Sequence, residues 1–198
     1  DTTAPIGGTV NLSSSFLIPL GYNNLGTTWG SDDFVRLRIL NSTTVGVRVY
    51  GVAEPNDNVS WEVVDMDGAF VQRGVTGLNG TGSIVINLTT PVDMSTSFLT
   101  ATYAGDGTAI QANAILIKGE LLNSTAIRFS RNSSVGAMDI SWEVVQLPGG
   151  SRSQRFVTSF TNTETNKSVT VDHINASKGG AFSSTGPSAG LSWGSTDF

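Results

Sequence analysis

A single histidine, His173, and no cysteine leave this 198-residue chain with few of the side chains from which active centres are built. A His-rich metal site is impossible, and any Ser-His-Asp arrangement would have to use His173. That residue closes the β-branched run Val169-Thr170-Val171-Asp172, where a strand-end histidine is the plainer reading. Asp65-x-Asp67-Gly68 opens like a calcium loop but lacks the later acidic ligands and the closing Glu, so a hairpin turn accounts for it better. Asp32-Asp33 and Asp197 are weaker calcium candidates at unit boundaries, and Lys118, Lys167 and Lys178 are candidates for Lys-Asn crosslinks with loss of ammonia. Paired acids for glycoside hydrolysis meet only in space, and the acids here stand in expected turns. No catalytic, cofactor-binding or metal-binding residue is assigned, and the chain is expected not to be an enzyme.

The commonest chemical signal is a modification site. Asn-x-Ser/Thr with a non-Pro middle residue occurs at Asn11, Asn41, Asn58, Asn79, Asn87, Asn123, Asn132, Asn166 and Asn175, nine of fourteen asparagines. With Ser and Thr at about a quarter of positions, chance gives roughly three or four. The excess implies covalent N-glycans on an extracellular, cell-surface protein of archaeal or eukaryotic type. Glycans at these positions would keep strand edges hydrated.

Composition narrows the partners. Only 14% of residues are charged and the net charge is −5, without a basic cluster to meet phosphates or anionic lipid. No apolar run approaches the roughly 20 residues that span a bilayer, so neither nucleic acid nor membrane insertion is expected. The polar opening at Asp1 is read as a processed start, although a trimmed chain would begin the same way. An apolar fraction of 38% is too high for a disordered polymer.

The elements that would carry these sites repeat. Ser60-Trp61-Glu62-Val63-Val64 returns as Ser141-Trp142-Glu143-Val144-Val145, and Gln72-Arg73 as Gln154-Arg155, at offsets of 81 and 82. Leu40-Asn41-Ser42-Thr43 returns 82 residues later as Leu122-Asn123-Ser124-Thr125, and Trp29-Gly30-Ser31 returns at Trp193, twice 82 away. Short β-branched runs at Phe34–Leu40, Val45–Val52, Val59–Val64, Ser83–Leu88, Ser97–Ala104 and Thr108–Ile117 are separated by Gly, Asn and Asp. No helical stripe appears. The fold expected is all-β: two tandem antiparallel immunoglobulin-like sandwiches, at 29–112 and 113–198, after an N-terminal extension and linker at 1–28.

Register can be derived from the turns. A two-residue Asp67-Gly68 loop sets Glu62 opposite Arg73, and a three-residue loop at Pro148-Gly149-Gly150 sets Glu143 opposite Arg155. These are expected to be structural charge pairs, with ligand binding as the alternative. Trp61 and Trp142 are expected to anchor one core each.

Supply and demand of strands differ between the ends. Residues 181–190 hold Gly and Pro where the first unit has a strong strand, so the second sandwich is expected to lack one. The extension offers a spare. Val10, Leu12, Phe16, Ile18 and Leu20 alternate onto one face, with Pro19 suiting an edge. This donor strand is expected to fill the groove of the next molecule, generating a head-to-tail homopolymer. Closure of residues 10–20 on their own body would remove that argument.

The polar start, abundant sequons, Cys-free β sandwiches and apolar N-terminal strand resemble the subunits of archaeal extracellular threads and bundling pili. The resemblance implies polymerisation by donated strands, with cell surfaces or neighbouring filaments as further partners. Trp-Glu-Val-Val and Val-Gln-Arg-Gly are also similar to repeats of large secreted or virion-associated β proteins, which keeps an adhesin or binding module as the alternative function.

Overall fold

The computed structural model describes residues 1–23, 33–51, 58–80, 82–105, 112–159, 164, 166–172, 175, 177 and 179–181. The chain is all-β, in several antiparallel sheets that do not close into a barrel. The strands are β1 (Thr2–Pro5), β2 (Ser15–Asn23), β3 (Arg36–Asn41), β4 (Thr44–Arg48), β5 (Asn58–Asp65), β6 (Phe70–Gly77), β7 (Ser83–Asn87), β8 (Ser97–Gly105), β9 (Lys118–Asn123), β10 (Ala126–Ser130) and β11 (Met138–Gln146). One helical turn, Ala112–Ile115, stands where the sequence suggested the end of a strand. Its Ala114 carbonyl accepts a 2.7 Å hydrogen bond from the buried Arg131 guanidinium, and Ile115 enters the core.

Two sheets of three strands, β1-β4-β3 and β7-β10-β9, are each built around a hairpin of the same kind. In the first hairpin Asn41 Oδ1 accepts from the Thr43 N–H at 2.9 Å, and in the second Asn123 Oδ1 accepts from the Thr125 N–H at 2.9 Å. Such a side-chain turn replaces a backbone one and lets the flanking β-branched residues pair at once. The other sheets are β2-β5 and β6-β11-β8.

Each core lies between two sheets. Leu17, Leu37, Ile39 and Val45 form the first, with Trp61 and Val63 against it. Phe129, Ile127, Ile140, Trp142 and Val144 form the second, and the first three and Val144 are fully enclosed. Both tryptophans therefore face a core, Trp142 buried and Trp61 partly so. A third cluster of Phe16, Val71 and Val145 joins the β2-β5 sheet to the β6-β11-β8 sheet, with Phe16 and Phe98 edge to face at 5.7 Å. Tyr103 packs on the second core and stacks on Phe34 at 5.6 Å. Burial pushes its phenol up to about 12, against the smaller opposite pull of a hydrogen bond with the Ile117 backbone.

A pH prediction follows from Tyr103. An unfolded chain releases this proton near its ordinary 10.0 while the folded chain holds it to about 12, so stability present below pH 10 is lost as pH rises through that window. Ultraviolet titration of the three tyrosines should show one ionising last, and Tyr103→Phe should remove that step.

Three expectations are corrected. β5 and β6 do not form a hairpin: Ala69 N–H closes a turn on the Met66 carbonyl at 3.0 Å, but β5 leaves it to pair with β2, and β6 to pair with β11. A turn limits only the direction of the chain, and here it carries the chain from one layer to another. Glu62 consequently lies opposite Ile18, and Arg73 lies opposite Glu143. Next, β6 and β8 precede residue 112 and both pair with β11, which follows it, so a boundary at 112 does not separate the sheets.

The third correction concerns the N-terminal strand. It does not stand apart, because β2 pairs with β5 of its own chain along Ser15↔Asp65 to Asn23↔Asn58. The single-face pattern also breaks. Phe16 is buried and Ile18 half-buried, but Val10 lies before the strand, and Leu12 and Leu20 are 40% and 57% exposed. Leu17, on the opposite face from Phe16, is buried as well. A turn in which Ser14 N–H bonds the Asn11 carbonyl at 3.1 Å delays the strand, and a bulge between Pro19 and Gly21 shifts its phase.

Candidate functional site: a clamp between repeat units

Strand β6 belongs to the first repeat by sequence, yet it completes the sheet built on β11 of the second. Its Arg73 carries the connection. Arg73 Nε donates to Glu143 Oε1 at 3.0 Å, Nη1 donates to the Leu12 carbonyl at 2.8 Å, and Nη2 reaches the Ser15 carbonyl. Glu143 Oε2 accepts the Leu17 N–H at 2.7 Å. One Arg-Glu pair thereby satisfies the outer edge of β2, which β5 does not cover.

Glu143 is 5% exposed. Burial pushes its carboxyl above the ordinary range, while the Leu17 N–H and the Arg73 charge pull the other way. Beside this clamp, Leu17, Leu37, Thr102, Ser141 and Glu143 line a crevice with room for about one water, too small for an organic ligand. Thr102 bridges the sheets there, its Oγ1 accepting from the Leu37 N–H and donating to the Leu37 carbonyl, both at 2.8 Å.

The clamp exposes a repeat longer than the phrases noted above. Val10-Asn11-Leu12-Ser13-Ser14-Ser15-Phe16-Leu17 matches Val92-Asp93-Met94-Ser95-Thr96-Ser97-Phe98-Leu99 at the same offset of 82. Contacts repeat with it. Ile6 N–H bonds the Thr43 carbonyl as Leu88 N–H bonds that of Thr125, and Val10 N–H bonds the Ser42 carbonyl as Val92 N–H bonds that of Ser124. Gln72 exchanges two hydrogen bonds with the Thr90 backbone, and Gln154 exchanges the equivalent two with Asp172. The segment expected as an extension at 1–28 thus follows the same repeat as the residues from 83 on, and by that period the units divide near residues 82 and 164. Aligning the first 20 residues with 83–102 would have revealed this, but substitutions such as Asn11 to Asp93 hide it from exact matching.

The β6-β11-β8 sheet has three strands and the β2-β5 sheet two, so among the described residues it is the first unit that lacks the clamp strand. Of the expected gap at 181–190 only Ala181 is described, and Trp29, Asp32, His173, Lys178, Trp193 and Asp197 lie outside the described residues.

All nine sequon asparagines lie on the exposed surface. Four of them also build turns. Asn11, Asn41, Asn123 and Asn175 each accept, at Oδ1, both the N–H and the hydroxyl of the Ser or Thr two residues on. Asp93 makes the same turn with Ser95, at the repeat position of Asn11 and Asn175, and its carboxyl is held below the ordinary range by the Ser95 hydroxyl and N–H. Turn chemistry alone therefore accounts for these four. Asn79, Asn87 and Asn166 are exposed sequons as well, as are Asn58 and Asn132. Asn123→Asp is expected to preserve the melting temperature and Asn123→Ala to cost about 1 kcal/mol, measured by chemical denaturation.

Asp65 has a structural occupation too. It accepts the Asn11 N–H at 2.9 Å and the Ser14 hydroxyl at 2.7 Å, which hold its carboxyl below the ordinary range. Among the described residues no three His, Cys, Asp or Glu side chains gather as metal ligands do. Lys118 bonds Glu120 at 2.8 Å, and Lys167 bonds the Ser159 carbonyl at 2.8 Å. In comparisons with known protein families, curated proteins and solved structures, the chain matches none of them.

Proposed function

We propose that this chain is a structural segment of an extracellular, N-glycosylated filament, built from immunoglobulin-like two-layer units joined head to tail by donated strands. The observation that carries the reading is β6, which leaves the unit that encodes it and pairs along its full length with β11 of the next, from Gly77↔Asp139 to Phe70↔Gln146. A unit that gives its last strand away and receives one from its neighbour is a link in a chain by construction. The buried Glu143-Arg73 clamp makes each junction specific, because it is satisfied only when donor and acceptor are in register. Exposed sequons on both sheets of hairpins suit a solvated shaft.

Electron microscopy of the purified chain tests this. Extended particles or filaments of uniform width are expected. Discrete monomers that bind an immobilised surface ligand would favour the adhesin alternative instead.

A further inference from the structure

The internal junction specifies what an equivalent junction between two copies would look like. Arg73-Gly74-Val75-Thr76 recurs as Arg155-Phe156-Val157-Thr158, after Gln72 and Gln154. Arg155 already occupies half of a clamp: its Nη1 donates to the Met94 carbonyl at 2.6 Å and to that of Ser97 at 3.2 Å, the repeat equivalents of Leu12 and Ser15. Among the described residues no carboxylate meets it. Residues 152–159 have no strand partner there either, and Phe156 and Val157 are 50% and 73% exposed.

The other half stands at the opposite end. Glu62 is the repeat equivalent of Glu143, but it is exposed on β5, and among the described residues no cation pairs with it. Ser60 is likewise exposed where Ser141 is 6% exposed, because β11 has a strand on each side and β5 only β2. Among the described residues, one face thus displays a clamp arginine on a segment with two exposed apolar side chains and no strand partner, and the other displays the matching carboxylate on an unpaired edge.

Deepening the filament reading, on which it rests, we propose that residues 152–159 of one molecule add as an antiparallel strand to the free edge of β5 in a second copy. The register follows from Arg73↔Glu143 and Val75↔Ser141: Arg155 lies opposite Glu62, and Val157 opposite Ser60. Glu62 of the second copy then completes the clamp on the edge of β8, where Leu99 stands for Leu17. Four residues depart from β6, Arg152 for Phe70, Ser153 for Val71, Phe156 for Gly74 and Ser159 for Gly77, and the one that meets the facing tryptophan is Phe156. A side chain at Gly74 would meet the Trp142 ring at 2.5 Å, so the Trp61 ring cannot lie across its partner backbone as Trp142 does and instead pairs laterally with Phe156. The contact is heterologous and leaves the same two ends free, so it propagates.

Cysteine crosslinking tests the register, since the chain has no cysteine of its own. The double variant Ser60→Cys/Val157→Cys, oxidised at several protein concentrations, is expected to give a ladder of dimers, trimers and longer species on non-reducing denaturing gels. A shifted pair, Ser60→Cys/Thr158→Cys, should give about tenfold less. In sedimentation of the cysteine-free chain, Glu62→Arg should weaken association about tenfold or more, and adding Arg155→Glu to it should restore association. Equal ladders from the two cysteine pairs, or failure of the charge reversal to restore association, would overturn the proposal. Filaments in micrographs without the ladder would overturn this junction alone and leave the filament reading intact, whereas monomers at every concentration would overturn both.

Discussion

Arg73→Ala is expected to lower stability by about 3–5 kcal/mol at pH 7, a large share of the whole for a domain of ordinary stability. The cost comes from what the arginine leaves behind. Glu143 is 5% exposed and would lose its only cationic partner among the described residues, while the Leu12 and Ser15 carbonyls would lose their donor. Arg155→Ala is the control, because that exposed side chain makes the equivalent carbonyl contacts without a carboxylate, and about 0.5 kcal/mol is expected in the isolated chain. Urea denaturation of both variants checks the contrast. Equal losses would mean that carbonyl contacts, and not the ion pair, hold the junction.

The same variant should alter the pH profile. Glu143 already titrates above its ordinary 4.5 in the folded chain, so the native state keeps a proton that the unfolded state has released, and stability falls as pH rises from that value. Removing the Arg73 charge takes away one of the influences that oppose the shift, so the fall should extend to higher pH. The penalty of Arg73→Ala is accordingly smaller at pH 5 than at pH 7. Asp65 and Asp93 act in the opposite sense, since their depressed carboxyls contribute stability that is lost as pH falls below the ordinary 3.8.

Phe129→Ala is expected to cost about 3–5 kcal/mol as well, through a cavity that its neighbours cannot close. Phe129 is fully enclosed, and it packs so tightly over Gly119 that a Cβ there would stand 3.0 Å from the ring. Val85→Ala, on the 55% exposed face of β7, should cost about 0.5 kcal/mol. The loss should also be shared between the units. Because β6 bridges them and Phe16, Val71 and Val145 form a core between them, tryptophan fluorescence and circular dichroism should report one coincident unfolding transition in the variant. Two separated transitions would show that the halves fold independently.

Several features of this molecule were determined by sequence alone. Val, Ile and Leu runs cut by Asn, Asp and Gly make the strands of the first hairpin legible, because alternation and turn chemistry are local properties, whereas β9 and β10 show only through the repeated Leu-Asn-Ser-Thr phrase. The core roles of Trp61 and Trp142 were legible for the same reason. The pairing of a Glu with an Arg from the Trp-Glu-Val-Val and Gln-Arg phrases was also foreseen, but with the wrong partners, since Arg73 meets Glu143 and not Glu62. Which strand pairs with which was decided by tertiary structure. A turn of a given type serves either to return a strand along its neighbour or to carry it into the next layer, and long-range contacts, burial of Val71 against Phe16 and Val145 and the pairing of Arg73 with Glu143, select the second course. Likewise an apolar pattern with one buried face makes the N-terminal strand a surplus by sequence, whereas packing between two cores buries Phe16 and Leu17 on opposite faces. Local pattern specifies a strand's existence; its neighbour is chosen by the long-range contacts that close the core.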